Sequence, residues 1–240
     1  MPTLSLNDFI EFLPPLLKGA KLTVLLTLAI FVLATLLGLL VALGRLSRYR
    51  AIRLPLTAYV EIVRCTPGLV QIYYIFYVLP FVGLTLSAIP AGIAGLSLNY
   101  AAYMSEVFRS GIQSVPATQR EAATTIGLSH FQTLRFVILP QAIRTVLPPI
   151  VNYLLMLFKD TSLLSVITIQ ELLFSGLLLA SSTYKHHIIL TEVALIYFVI
   201  CYPVSLLATF LENRLKSKRG PLIGSLASAF RRSLPGLTSA

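Results

Sequence analysis

Long apolar stretches alternate with short polar segments along most of this chain of 240 residues. A helix needs about 20 mainly apolar residues to cross the hydrocarbon core of a bilayer. Stretches of that length recur along the chain, so the pattern predicts an all-α integral membrane protein with five transmembrane helices. The predicted spans are Leu22 to Gly44, Pro55 to Pro80, Leu86 to Arg109, the stretch from just after Pro149 to Ile169, and Ile188 to Leu211.

The longest uncharged stretch, residues 65–105, exceeds the length of a single span. Pro80, Gly83 and Pro90 interrupt it. Proline and glycine are the strongest local breakers of regular structure, so these positions predict a turn at about residues 80–88. The uncharged stretch is therefore divided between the second and third spans.

A polar island at residues 114–140 separates the third span from the fourth. Ser114 is of the residue type that caps helices, which predicts a short helix beginning there. Gly127 suits the left-handed position that ends a helix. Ser129 and Gln132 have the spacing of a capping box, which predicts a second short helix ending at the proline that closes the island. The island is thus predicted to be a two-helix hairpin.

The composition supports the membrane assignment, because 56% of the residues are hydrophobic and only 12% are charged. A soluble domain usually carries about 25% charged residues. The formal net charge of +10 raises the possibility of a nucleic-acid partner. The basic residues, however, lie between apolar spans and in the tail and form no basic face interleaved with aromatic residues. We therefore interpret them as topology signals and expect no nucleic-acid binding.

The basic residues also predict the orientation of the chain. With the N-terminus outside, fourteen Lys and Arg residues fall in cytoplasmic segments and three fall outside. Cytoplasmic loops of membrane proteins carry such an excess. We therefore predict an extracytoplasmic lead-in at residues 1–20, a transmembrane domain at residues 21–215 and a basic, disordered cytoplasmic tail at residues 216–240. The hairpin at residues 114–140 then faces the cytoplasm.

Two acid–base pairs lie toward the cytoplasmic ends of spans. Glu61 and Arg64, and likewise Glu106 and Arg109, are three residues apart and hence on one helix face. Because ionisable residues inside spans are costly and usually functional, Glu61 and Glu106 are candidates for lining a solute pathway. Arg64 and Arg109 are then candidates for a gate. The alternative is that both pairs only stabilise helix ends.

Lys159 and Asp160 lie about 20 Å into the fourth span at 1.5 Å per residue, near the bilayer midplane. A zwitterionic solute offers complementary groups, with its carboxylate for Lys159 and its ammonium for Asp160. Asn99 and Tyr103, one turn apart in the third span, are predicted to line the same cavity. The alternative is an ion pair across a dimer interface.

The sequence shows no pattern typical of catalysis or of nucleotide or metal binding. The sequence contains no phosphate-binding G-x-x-x-x-G-K-[ST] loop, no nucleophile–base pair and no metal-ligand spacing. We therefore predict no catalytic residue and no metal site. If transport is driven by ATP, the ATPase must be a separate chain.

Several motifs that follow one another over about residues 20–215 carry a resemblance to a known family. Glu121-Ala122-Ala123, with Gly127 beyond it, resembles the EAA loop of the membrane subunits of bacterial ABC importers. Arg64-Cys65-Thr66-Pro67 resembles the RGTP segment of the polar amino acid subgroup, with Cys65 in place of glycine. Further matching positions are Gln71, Tyr103, Glu106, Arg109, Gly111, Leu139-Pro140-Gln141-Ala142, Leu147-Pro148-Pro149, Lys159-Asp160-Thr161-Ser162-Leu163 and Glu171-Leu172.

The resemblance implies the permease fold of type I ABC importers, with residues 114–140 as a cytoplasmic coupling loop. It implies an inner-membrane location, docking of an ABC ATPase that binds the ATP and Mg²⁺, and no cofactor bound by this chain. It further implies a second permease subunit, identical or a sister, an extracytoplasmic solute-binding protein, and a polar amino acid or related zwitterion as substrate. The residues it implicates in ATPase coupling are Glu121, Ala122, Ala123, Gly127 and Leu128.

Two other interpretations remain open at the level of sequence. The hairpin residues alone also fit an amphipathic element that lies on the lipid surface. The spans alone also fit a secondary transporter or a channel that is not coupled to an ATPase. Co-purification of an ATPase would separate these possibilities.

Overall fold

The computed structural model of the chain describes residues 6–217. Within that range the chain consists of helices joined by short turns and has no β-strand, which confirms the predicted all-α class. All but the first two residues of the predicted tail lie outside the described range. The α-helices are α1 (Leu6–Arg45), α2 (Arg50–Cys65), α3 (Gly68–Tyr73), α4 (Ala88–Gln113), α5 (Ala117–Thr125), α6 (His130–Thr133), α7 (Leu139–Asp160), α8 (Leu172–Thr183) and α9 (His186–Ser217).

Three helical segments are long and apolar enough to cross a membrane: Ile10–Arg45, His130–Ile167 and His186–Leu215. The bent pair α2 and α3 makes a fourth if it counts as one span. The predicted third span is α4, which has 26 residues but is less apolar than α1 and α9 and is largely enclosed by the protein. Length and hydropathy thus support three or four spans, and the fifth stays a prediction.

The first span is longer than its apolar core indicates. Helix α1 continues without a break from the predicted lead-in into the span. Phe12, Leu16 and Ala20 are buried in a cluster with residues of α8 and α9. The part of the lead-in that the structure describes is therefore the first turns of α1, and it packs against α8 and the first turns of α9.

Helices α1 and α4 form the most closely packed pair in the described range. A β-carbon on Gly38 would lie 3.0 Å from Met104 Cβ and 3.1 Å from the carbonyl oxygen of Ala101. Such spacing leaves no room for a side chain, so the two backbones approach as they do at other small-residue helix interfaces in membranes. The pair forms a rigid wall against which the remaining helices pack.

The second span is broken rather than continuous from Pro55 to Pro80. It begins at Arg50 and turns by 109° between α2 and α3. The residue before a proline is disfavoured in the helical region, and Thr66, which precedes Pro67, is extended at φ −113° and ψ 133°. The break thus follows from one local sequence step, and it places the N-terminal end of α3 beside α4.

The polar island folds largely as expected at its centre. Gly127 has φ +82° and ends the turn after α5, as predicted. The capping box is also confirmed, because Gln132 N donates to Ser129 Oγ at 3.3 Å and Ser129 N donates to Gln132 Oε1 at 2.8 Å. Ser114 does not cap α5; its Oγ donates instead to the carbonyl oxygen of Gly111 at 2.8 Å.

The second hairpin helix does not end at Pro140. From His130 the chain runs through one π-helical turn, Leu134–Ile138, directly into α7. A π turn shifts the hydrogen-bond register, so that Leu139 N bonds to the carbonyl oxygen of Leu134, and the proline that follows is accommodated. The fourth span therefore begins at His130 and not after Pro149, and the coupling loop is continuous with it.

Candidate functional site

A cavity of about 440 Å³ lies where the second span breaks, between α4 and the end of α7. The structure brings four of the sequence-predicted residues to this cavity: Arg64, Asn99, Tyr103 and Asp160. The other lining residues are Cys65, Thr66, Pro67, Gly68, Leu96, Tyr100, Tyr153, Met156 and Leu163. The broken span, and not a regular helix face, creates the space.

Asp160 supplies the acidic end of the cavity. It is the last residue of α7, and its Oδ2 accepts a hydrogen bond from Tyr100 Oη at 2.7 Å. The ring of Tyr153 lies 6.1 Å from both the Tyr100 ring and the Tyr103 ring, centroid to centroid. The carboxylate is therefore oriented by a hydroxyl and bordered by aromatic rings.

Arg64 supplies the basic end. It lies in the last turn of α2, immediately before the break, and its side chain is 41% exposed. Among the described residues that line the cavity, Arg64 is the one cation and Asp160 the one carboxylate. The cavity lining therefore carries one charged side chain of each sign.

Lys159 does not belong to this cavity, which corrects the prediction from the sequence. Consecutive helical residues point about 100° apart, since a turn contains 3.6 residues. Lys159 is exposed to a separate groove of about 340 Å³. That groove is lined also by Ser162, Leu173, Leu190, Val193, Ala194 and Tyr197. The cation that lines the cavity is Arg64 and not Lys159.

Asn99 has a structural bond in addition to its place in the lining. Its Nδ2 donates to Gln71 Oε1 at 3.2 Å. The amide nitrogen of Gln71 donates in turn to the carbonyl oxygens of Val63 at 2.8 Å and Thr66 at 2.9 Å. These carbonyls lie at the end of α2, where helical partners are missing. Gln71 therefore stabilises the break and ties it to α4, a role that the motif alone did not reveal.

Glu106 is the centre of an ion-pair cluster at the other end of α4. Its carboxylate accepts from Arg45 Nη1 at 2.6 Å and from Arg109 Nη2 at 2.7 Å. The predicted pair between Glu106 and Arg109 is thus confirmed as a contact. Arg45, which the sequence presents only as a topology charge, is the partner that reasoning from spacing missed. One carboxylate joins α1 and α4.

The predicted pair between Glu61 and Arg64 does not form. Glu61 is exposed, lies outside the cavity lining, and has no ion pair within the part of the chain that the structure describes. Arg64 Nη1 lies instead 3.7 Å from Glu106 Oε1. Arg64 therefore stands between the ion-pair cluster and the cavity, and Glu106 lies outside the cavity lining.

The coupling loop exposes an apolar surface next to its acidic residue. Ile126 is 76% exposed and Phe131 is 68% exposed, although both are large and apolar. Glu121 and Ala122 are exposed beside them, whereas Leu128 is half-buried. These residues give the loop an exposed face that is both apolar and acidic.

Ala123 behaves differently from its neighbours in the loop. It is buried, with 3% of its surface exposed, so it faces the interior of the protein. Ala123 therefore packs α5 against the body of the chain, and its implied part in ATPase coupling stays a prediction.

Comparison with known proteins agrees with this architecture. Residues 34–217 match the family described as binding-protein-dependent transport system inner membrane component. The chain is 38% identical over 205 residues to the probable amino-acid ABC transporter permease protein YckA of Bacillus subtilis (strain 168), covering 85% of this chain and 91% of that protein. It is 40% identical over 206 residues to the L-cystine transport system permease protein TcyB of the same organism, covering 85% and 88%.

A solved structure shows the same fold. The structure is described as an amino acid ABC transporter with histidines, and one of its chains is 33% identical to this chain with a TM-score of 0.83. The alignment covers 88% of this chain and 99% of that chain. The broken span, the coupling loop and the long fourth span thus lie within a common architecture.

Proposed function

Because this chain belongs to the family of binding-protein-dependent transport system inner membrane components, we propose that its cavity passes a polar amino acid through an ABC importer. The chain is a membrane-spanning permease subunit of such an importer, a transport component and not a catalyst. The observation that carries the proposal is the cavity bounded by Arg64 and Asp160.

The charges of the cavity match the two ends of an amino acid. The Arg64 guanidinium binds the α-carboxylate, for which arginine has the matching fork of donors. The Asp160 carboxylate binds the α-ammonium, held in place by Tyr100 Oη. Tyr103 and Asn99 then border the substrate side chain. The relatives named for amino acid and L-cystine transport support this class of substrate.

The coupling loop docks a separate ATPase, which binds the ATP and Mg²⁺. Ile126 and Phe131 supply the buried apolar contact, and Glu121 supplies a charged contact at its edge. Two permease subunits, identical or sisters, form the pathway, and an extracytoplasmic solute-binding protein delivers the substrate. The charge distribution supports an N-terminus outside and a C-terminus in the cytoplasm.

Uptake by a reconstituted complex tests the transport proposal. The permease, its ATPase and its solute-binding protein are placed in vesicles with ATP inside. Radiolabelled L-glutamine, L-cystine and L-arginine serve as probes. We expect ATP-dependent accumulation of at least one of them and none of a labelled sugar. Accumulation without ATP would instead favour a secondary transporter or a channel.

Glu121→Lys tests the docking surface. The expected result is a fall of at least about tenfold in affinity for the ATPase, because like charges opposed across an interface cost several kcal/mol. Affinity is measured by co-purification and by titration of the ATPase onto the immobilised permease. The matched control is Gln170→Lys, since Gln170 is exposed and lies far along the chain from the loop. Equal ATPase affinity in the Glu121→Lys protein and the wild type would contradict docking at this surface.

A further inference from the structure

A side-chain bridge joins the coupling helix α5 to the beginning of α7. Gln141 Nε2 donates to Gln119 Oε1, and it also donates to the carbonyl oxygen of Val137 at 2.8 Å. The two glutamines are 22 residues apart in sequence. We call this contact the Gln119–Gln141 bridge; it closes the polar island from one side to the other.

The turn between α5 and α6 is held by backbone hydrogen bonds from Gly127 N to Thr124 O and from Leu128 N to Ala123 O, each 3.0 Å, and not by side-chain packing at Gly127. A β-carbon added to Gly127 would meet no atom within 4 Å, so the turn is open and unsupported by packing. Helix α5 has only nine residues, and isolated helices of that length are marginal in water. Contacts outside the turn therefore add to the support of α5, and the Gln119–Gln141 bridge is a side-chain hydrogen bond that joins it to α7.

The backbone of the fourth span is weakest at the same place. The π turn Leu134–Ile138 departs from the regular ladder, and Pro140 after it has no N–H to donate. Helices bend preferentially at prolines and π turns. The second bond of Gln141, to Val137, spans this point. The same amide group therefore supports both the angle of α5 and the stiffness of the helix.

Beyond this point the fourth span runs as one α-helix from Leu139 to Asp160 at the cavity. At 1.5 Å per residue those 22 residues extend about 33 Å. A displacement of α5 moves Asp160 only if neither the π turn nor the Pro148-Pro149 step inside α7 absorbs it. Gln141, which stiffens the π turn, therefore affects how much of the displacement of α5 reaches Asp160.

We propose that Gln141 is a positioning residue for transport: it makes α5 and α7 move as one body, so that displacement of the docked ATPase reaches the substrate cavity. This inference rests on the proposed docking of the ATPase at the coupling loop. It adds the Gln119–Gln141 bridge as the contact through which the docked coupling loop moves α7. The coupling is rigid-body transmission through a continuous helix.

The test measures substrate transported per ATP hydrolysed in the complete reconstituted complex, with the probe amino acid that the wild type accumulates fastest. Gln141→Leu should leave co-purification and basal ATP hydrolysis unchanged and lower this ratio at least about fivefold, the lower range of typical coupling between sites. Gln170→Leu is the matched control of the same residue type. An unchanged ratio in Gln141→Leu would overturn the proposal.

A double variant distinguishes loss of the bridge from a general effect of Gln141→Leu on folding. Gln119→Glu combined with Gln141→Lys replaces the amide bond by an ion pair, and it should restore most of the ratio that Gln141→Leu loses. Failure of this double variant to exceed Gln141→Leu would also overturn the proposal. If Gln141→Leu reduces the yield of folded complex, Gln119→Leu breaks the same bridge without altering α7.

The two proposals fail in different ways. If Glu121→Lys leaves ATPase affinity unchanged, the docking proposal is wrong. If Glu121→Lys releases the ATPase while Gln141→Leu keeps a normal transport ratio, docking stands and only the role of the bridge is wrong.

Discussion

Glu106→Gln should lower the free energy of unfolding by about 3 kcal/mol, the low end of the range for breaking a buried ion pair by removing one partner. The low end applies because the Glu106 side chain is 21% exposed. Arg45, at 7% exposure, loses the carboxylate that lies 2.6 Å from it. Arg109 loses its partner at the same time, and the guanidinium groups are left to repel one another.

The measurement is unfolding by denaturant of the purified permease in detergent. Arg64→Met serves as the matched control, because Arg64 is 41% exposed and lies 3.7 Å from the same carboxylate. Exposed ion pairs contribute at most about 1 kcal/mol, so this variant should remain close to the wild type in stability. A similar loss in both variants would show that the cluster does not depend on the buried contact to Arg45.

Asp160→Asn should reduce transport at least about tenfold while leaving ATPase docking intact. A hydrogen bond to a charged group contributes about 1.5–3 kcal/mol, and the amide cannot replace the carboxylate as partner for an ammonium. The amide oxygen still accepts from Tyr100 Oη, so the local structure is retained. The measurement is initial uptake by the reconstituted complex, together with ATPase co-purification.

Lys159→Ala tests whether Lys159 contacts the substrate, as the sequence predicted, or lies outside the substrate cavity, as the structure shows. Lys159 is exposed to a different groove, so its substitution should affect uptake less than Asp160→Asn does. Loss of uptake in Lys159→Ala with normal uptake in Asp160→Asn would contradict the cavity as described. It would then favour the original assignment of Lys159.

The sequence predicted the polar island well where local chemistry decides. Gly127 and the capping box at Ser129 depend on residues within one turn, and both are confirmed. Pro140 was predicted to end a helix by an equally local rule, and there the prediction is wrong. The π turn that accommodates Pro140 forms within a long packed helix, and no residue pattern in the sequence indicates it.

In the candidate site, too, features set by nearby residues were predicted and features set by distant residues were not. Asn99 and Tyr103 lie in one cavity because both are on one face of α4, which helical periodicity predicts. Arg45 was not predicted as a partner of Glu106 because the two are 61 residues apart, and spacing rules apply only within a helix. The break at Pro67 was also missed, although the proline is visible in the sequence. Hydropathy alone predicts one continuous span for an apolar stretch of this kind.

The polarity of α4 also bears on how the chain enters the membrane during synthesis. As the predicted third span, α4 carries Glu106 and Arg109 toward its cytoplasmic end, and ionisable side chains within a span are costly. Helix α1 is made first, is apolar enough to insert alone, and ends in Arg45, the cation that neutralises Glu106. Helix α1 therefore lowers the cost of placing α4 in lipid, because Arg45 neutralises the Glu106 carboxylate within the membrane.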